Sequence, residues 1–203
     1  MKSLVLMLSL LCSSAFAQPA CEVMTVSGDA QRADGRPLVV GDRLDVGTTL
    51  RTGAAGRVRL KFIDGSVLVL ADKSQLRIDA FSAGTAKPRE AEFLLELGLI
   101  GQRVTPAAGG SWKVRTPTAV TAVRGTEFTV EVGDDQGTAV HVKTGEVDVE
   151  PAGAQTRGIK PRYPVRLARQ LNGTRCDAKE CTAAVAWSAD RLQRLDQRLG
   201  SLD

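Results

Sequence analysis

Residues able to do covalent or acid–base chemistry are sparse in this 203-residue sequence, so each can be weighed in turn. Nucleophilic catalysis of the Ser-His-Asp or Cys-His kind needs a histidine beside the nucleophile as general base. The only histidine is His141, in the alternating segment TAVHVKT, where Val140 and Val142 take one face and His141 the other. It reads as a surface or satisfied histidine rather than a base. Paired carboxylates would suit a glycosidase, but the acids here fall in turns (Asp64, Asp134, Asp135) or on exposed strand faces (Glu127, Glu131, Glu146, Asp148, Glu150). Turn-forming and solubilising roles explain them. Asp134-Asp135 followed by Gly137 lacks the regular oxygen spacing and terminal Glu of a calcium loop, and GAAGR at 53–57 lacks the Lys-Ser or Lys-Thr ending of a phosphate cradle. The expectation is a protein that is not an enzyme, with no catalytic residue, no cofactor and no metal.

Cysteine chemistry is structural by the same reasoning. Cys12 falls within an expected leader, which leaves Cys21, Cys176 and Cys181. In an oxidising compartment the short CDAKEC loop makes Cys176–Cys181 the natural local disulfide, with Cys21 free; the rival pairs Cys21 with either partner. The distance in sequence from His141 makes a zinc site weak.

The leader is MKSLVLMLSLLCSSAFA. Lys2 supplies the positive start, residues 4–11 the apolar run, and Ala15-Phe16-Ala17 the small residues before a cleavage site after Ala17. Residues 1–17 are thus expected to be a signal peptide. No later stretch reaches the ~18–20 apolar residues of a spanning helix, so a periplasmic or secreted protein without a transmembrane segment is expected. The formal charge of +4 is unevenly spread: residues 154–203 carry ten Lys or Arg against five acids. Such a tail could touch an acidic surface or polymer, or simply be solvated. Nucleic acid is disfavoured by compartment and by an aromatic content of 4%, too low for a stacking platform.

The elements that must position these residues are short strands. RVRLKFI (57–63), SVLVLA (66–71), QLRIDAF (75–81), SWKVRT (111–116), TEFTVEV (126–132), TAVHVKT (138–144) and EVDVE (146–150) mostly alternate apolar with polar, separated by Gly and Asx turns. REAEFLLELGLIGQRV (89–104) could be a short helix, but Leu95-Leu97-Leu99 and the glycines favour strand. LRTGAAGRVRLKF (50–62) loosely repeats as VRTPTAVTAVRGTEF (114–128), which suggests stacked β coils. Residues 151–181 read as a Pro/Gly/Arg-rich connector with one strand near 163–167, and 182–200 as an amphipathic helix with Ala184, Trp187 or Ser188, Leu192, Leu195 and Leu199 on one face and Ser188 as a cap. That helix could dock on the β domain or form a homodimer.

GDRLDVGTTLRTGAAGRVRLKFIDGSVLVLADKSQLRID (41–79), VRTPTAVTAVRGTEFTVEV (114–132) and VHVKTGEVDVE (140–150) together resemble the FecR domain, the periplasmic module of iron-dicitrate sensor regulators. The resemblance implies an all-β, twisted, β-solenoid-like domain over 22–150, with its core match at 41–150, followed by the connector and the C-terminal helix. The residues that carry it are Arg51, Thr52, Gly53, Asp64, Gly65, Arg115, Thr116, Pro117, Arg124, Gly125, Thr126, Phe128 and Gly145. All are expected to be architectural, with Arg124 pairing with Glu127 or Glu146 to lock a corner or else facing a partner. Sensor regulators begin with a cytoplasmic segment, whereas a signal peptide is expected here, so the chain is not expected to hold a sigma factor itself. What remains is an envelope binding or scaffold protein whose partner is a protein or a wall glycan, or a periplasmic component of an iron-uptake type of signalling pathway.

Overall fold

The structure, a computed structural model, describes residues 19–84, 88–153, 165–168 and 172–202. The expected signal peptide at 1–17 and the connector stretches 154–164 and 169–171 lie outside them.

Two β-layers face one another. The front sheet contains β1 (Cys21–Ser27), β3 (Arg43–Leu44), β5 (Arg57–Phe62), β6 (Val67–Leu70), β11 (Glu127–Val132), β12 (Thr138–Thr144), β15 (Asn172–Cys176) and β16 (Val185–Ala186). The back sheet contains β2 (Ala30–Arg32), β4 (Thr49–Thr52), β7 (Gln75–Ser82), β9 (Ser111–Arg115), β10 (Ala119–Val123), β13 (Glu146–Pro151) and β14 (Val165–Ala168). A single long strand, β8 (Glu90–Arg103), belongs to both: its first half pairs with β7 and β9, its second with β6 and β11. Gly98, at φ +95°, stands where the strand changes sheets, and a Cβ there would lie 2.5 Å from the Ser74 Cα. Only glycine tolerates both the dihedral and the contact.

The all-β class is as expected, and the strand expected near 163–167 appears as β14. The twisted stack is built from antiparallel hairpins, with β8–β9 the one parallel ladder among the described strands. Alternation decides which side chains enter the core. In β5, Val58, Leu60 and Phe62 point inward, and in β11 Phe128, Val130 and Val132 do so. Phe62 of the front sheet meets Phe81, Phe93 and Trp112 of the back sheet at centroid distances of 5.0, 5.4 and 5.1 Å. These contacts fix the two layers face to face, at edge-on and tilted geometries that aromatic rings favour.

Two segments lack clean alternation for a physical reason. All four residues of β6 are buried, as are Gly98 to Gln102 of β8. Their inner face meets the core, while Val69, Ala71 and Leu99 meet Leu195 and Leu199 of a helix lying on the outer face. A strand covered on both sides has no need of a polar face. The helix, α1 (Ala189–Leu199), starts at Ser188, whose hydroxyl accepts from the Arg191 N–H at 3.4 Å. It is shorter than the expected 182–200, because β16 pairs with β15 and holds the chain extended up to Trp187. Its apolar stripe is taken up by the chain's own sheet, with Leu195 and Leu199 only 5% and 3% exposed. A homodimer through that stripe would need the helix to leave the sheet.

Candidate functional site

The residues that carry the sequence signature fall into four small hydrogen-bonded clusters. In the first, Thr52 at the end of β4 donates from its hydroxyl to the Ala71 carbonyl and accepts from the Ser74 N–H at 2.9 Å. Arg51 points outward and donates to Gln75 at 2.9 Å. Gly53 lies against Asp29, accepting no side chain there without a shift. In the second, Thr116 just after β9 is bonded to Ala119 and shares a 2.6 Å contact with the Thr138 hydroxyl, while Arg115 points outward to Glu92 at 2.9 Å. Pro117, exposed, forms the turn between β9 and β10.

Gly125, Thr126 and Gly145 form the third cluster. The Thr126 hydroxyl donates to the Glu146 carbonyl at 2.9 Å, and its carbonyl accepts from Val104 N–H at 3.0 Å. A Cβ on Gly125 would fall 2.9 Å from Pro106, and one on Gly145 would fall 2.8 Å from the Gly125 carbonyl oxygen. Phe128 follows into the core. Arg124 stays exposed in a shallow recess beside Glu146 and Asp148 and makes no ion pair among the described residues. Glu127 pairs with Lys143 instead, at 2.8 Å, so neither carboxylate expected to lock the corner does so through Arg124.

The fourth cluster holds a charge pair that the sequence reading missed. Asp64, in the turn between β5 and β6, accepts from the Ser66 N–H at 2.9 Å and from Arg89 Nη1 at 2.8 Å; Gly65 follows it at φ +83°. Arg89 also donates to the Thr105 carbonyl at 2.6 Å and lies 5.6 Å from the Trp112 ring centroid. Trp112 Nε1 in turn donates to Gln102 Oε1 at 2.6 Å. Nothing in the spacing of Asp64 and Arg89 announces the pair, because β8 must fold back across the layers before they meet.

A different kind of site lies under α1. A cleft of 320 Å³ runs between the helix and the outer face of β11 and β12, lined by Thr129, His141, Leu192, Leu195 and Asp196 among others. His141 is 5% exposed, not on a free surface. Its ring stacks on Trp187 at 5.2 Å and 28°, and the Arg191 guanidinium carbon sits 3.5 Å from the Trp187 ring centroid. His141 Nε2 is buried without a hydrogen-bond partner. Burial pushes its pKa below the ordinary imidazole value; Asp196 opposes this shift, and Arg191 and Lys143 reinforce it. Arg198 ties the far end of α1 down, reaching Asp72 at 2.8 Å and Glu131 at 2.6 Å. Strand alternation places His141 correctly on the outer face; what it cannot show is that a helix some fifty residues later covers that face.

The Cys176–Cys181 disulfide is formed, and Cys21 is free and buried in β1. Among the described residues no three His, Cys, Asp or Glu side chains group as metal ligands would, and no helix is long and apolar enough to cross a membrane.

Residues 48–148 match the FecR family, described as FecR protein. This chain carries a FecR domain. Two crystal structures of a candidate anti-sigma factor from Parabacteroides distasonis share its fold, each with a TM-score of 0.55, at 21% and 20% identity. In both, 71% of this chain aligns, and it spans 62% of the length of theirs. At that identity the likeness establishes the fold alone. A search of curated proteins gave no match. Within the FecR domain the signature residues other than Arg124 take part in turns, core packing and hydrogen bonds within and between the two sheets. The stacked His141–Trp187–Arg191 group joins the domain's β12 to the C-terminal helix beyond it.

Proposed function

We propose that the protein is a non-enzymatic binding module of the bacterial cell envelope, acting in a cell-surface signalling system and recognising a protein partner through its FecR domain. The match over residues 48–148 carries this reading. The disulfide supports an oxidising compartment, in keeping with the signal-peptide pattern at 1–17. The names of the fold's solved neighbours, which call them anti-sigma factor candidates, favour signalling over a purely structural scaffold.

A protein partner is favoured over a wall glycan by where the aromatic rings go. Phe62, Phe81, Phe93 and Trp112 pack on one another between the sheets, and Trp187 is held between β12 and α1. That leaves no exposed aromatic platform for sugar stacking among the described residues. Apolar surface of another kind is available: Val39, Val40 and Val46, in the segment from β2 to β4, are 58%, 65% and 48% exposed. We take these three exposed aliphatic side chains, close in sequence, as the contact surface for that partner.

The test is affinity capture from the envelope of the protein's own cells, with the wild type beside a Val39→Asp, Val40→Asp double variant. The expected result is one dominant partner, lost in the double variant while its melting temperature is unchanged. Turnover of a wall polymer by the purified protein, or capture indifferent to the two valines, would overturn the reading.

A further inference from the structure

We propose that the His141–Trp187 stack is a proton-operated latch: protonation of His141 releases Trp187 and α1 from the outer face of the front sheet. This inference stands apart from the signalling reading and rests on the geometry under the helix. His141 is paired across the ladder with Thr129 of β11 on one side and Gly173 of β15 on the other. Gly173 has no side chain because the Trp187 ring occupies the space: a Cβ there would lie 2.3 Å from the indole. The imidazole is thus walled by two strands and roofed by a ring.

In the neutral tautomer with its proton on Nδ1, Nε2 is an acceptor without a donor. The imidazolium must carry a proton on both nitrogens. The charged form would therefore bury a second N–H that has no acceptor, together with a charge, and both are costly away from water. The groups around it do little to offset this. Lys143, on the same strand, is paired with Glu127 of β11; Glu131 of β11 receives Arg191 and Arg198 of α1; Arg175 of β15 is paired with Asp135. Asp196 of α1 is the carboxylate that favours the imidazolium, and it is outweighed by burial together with Arg191 and Lys143.

α1 is otherwise held by an apolar cluster of five buried residues and by ion pairs of Arg198 with Asp72 and Glu131 and of Arg191 with Glu131. Arg57 also donates to the Arg198 carbonyl, and Arg59 and Arg103 donate to the Leu202 carbonyl just beyond the helix. Carboxylates titrate near 4, well below the histidine range, and the sequence holds no other histidine. The sign follows from the lowered folded pKa. Docking is fully favoured above the ordinary imidazole value of 6.5 and weakens as pH falls from there through the lower value of the docked form. Each unit of lowering is worth about tenfold in the docking equilibrium.

Hydrogen exchange of the full-length exported protein at about pH 7.5 and about pH 5 brackets the histidine range, after correction for intrinsic rates. The expected result is faster exchange at low pH in 189–199 and in β16, with β5 and β11 still protected. His141→Phe keeps a ring in the stack and removes the proton, so its α1 exchange should not respond to pH; His141→Gln serves if the phenylalanine variant does not fold. Unchanged α1 protection in the wild type at low pH would overturn the proposal. So would the same acid response in the variant, or loss of protection in β5 and β11 together with α1.

Discussion

The Arg89 guanidinium donates to the Asp64 carboxylate at 2.8 Å with the two side chains only 3% and 11% exposed. This pair links the β5–β6 turn of the front sheet to the chain just before β8. Breaking a buried pair from one side leaves the other charge unmatched, which typically costs about 3–5 kcal/mol. Asp64→Ala also removes the acceptor for the Ser66 N–H and hydroxyl. We expect the unfolding free energy obtained by urea titration to fall by an amount in that range. A loss under about 1 kcal/mol, the size of an ordinary substitution, would show that the pair contributes little to holding the layers.

Adjacent positions in the VRG corner should respond in opposite ways. Gly125→Val places a branched side chain where even a Cβ would be 2.9 Å from Pro106, at a φ of +152° that such residues resist. The variant should be strongly destabilised or fail to fold. Arg124→Ala removes an exposed side chain with no ion pair among the described residues, so its stability should stay within about 0.5 kcal/mol of wild type. Thermal melting of both variants checks the contrast. Selective loss of partner capture in Arg124→Ala would then assign that side chain to a contact surface.

Much of the β module is legible because period-two alternation survives wherever only one face is buried. RVRLKF and EFTVEV are read correctly as strands for that reason. The loose repeat is physically real at its start: Leu50 and Val114 are buried, Arg51 and Arg115 face outward, and Thr52 and Thr116 are both buried and bond to backbone, Thr52 to Ala71 in the turn after β6 and Thr116 to Ala119 across its own turn. It drifts at its end, where Phe62 closes β5 but Phe128 opens β11. The start of α1 was blurred because Trp187 continues the helical spacing while its ring is laid over Gly173 of an extended segment. Arg89–Asp64 and His141–Trp187 were invisible for one shared reason: each joins elements that meet only after the layers have formed, and no local pattern encodes such a meeting.

Cys21 should be inert in the folded protein. It is 2% exposed, and burial, with a smaller push from Asp45, raises its pKa to about 12 from an ordinary value of 9.0. At pH 8 only about one thiol in ten thousand would be ionised, and the thiolate is the reactive form. A thiol reagent should therefore label Cys21 only after denaturation, with Cys176 and Cys181 left unlabelled unless reduced. The same shift sets a sign for alkaline stability. The buried thiol's contribution is complete below the unfolded value of 9.0 and declines as pH rises from there through about 12. Cys21→Ala should flatten that decline. Rapid labelling of the native protein would mean that β1 opens readily.

The seam between α1 and the sheet can be tested from either side. Leu199 is 3% exposed, and its Cδ1 would stand 2.9 Å from a Cβ on Gly101. Leu199→Ala deletes the knob, and Gly101→Val fills the space that receives it. A buried Leu→Ala change ordinarily costs about 2–5 kcal/mol, but here the loss is capped. Once α1 has let go of the sheet, a weaker contact cannot destabilise the β module further. Both variants should therefore lose hydrogen-exchange protection in 189–199 while the main unfolding transition shifts little. Gly101→Val carries an added risk, since Gly101, near the end of β8, pairs with Val69 on one side and Thr129 on the other. A large drop in the main transition for Leu199→Ala would mean that α1 is an integral third layer of the module rather than a separately docked element.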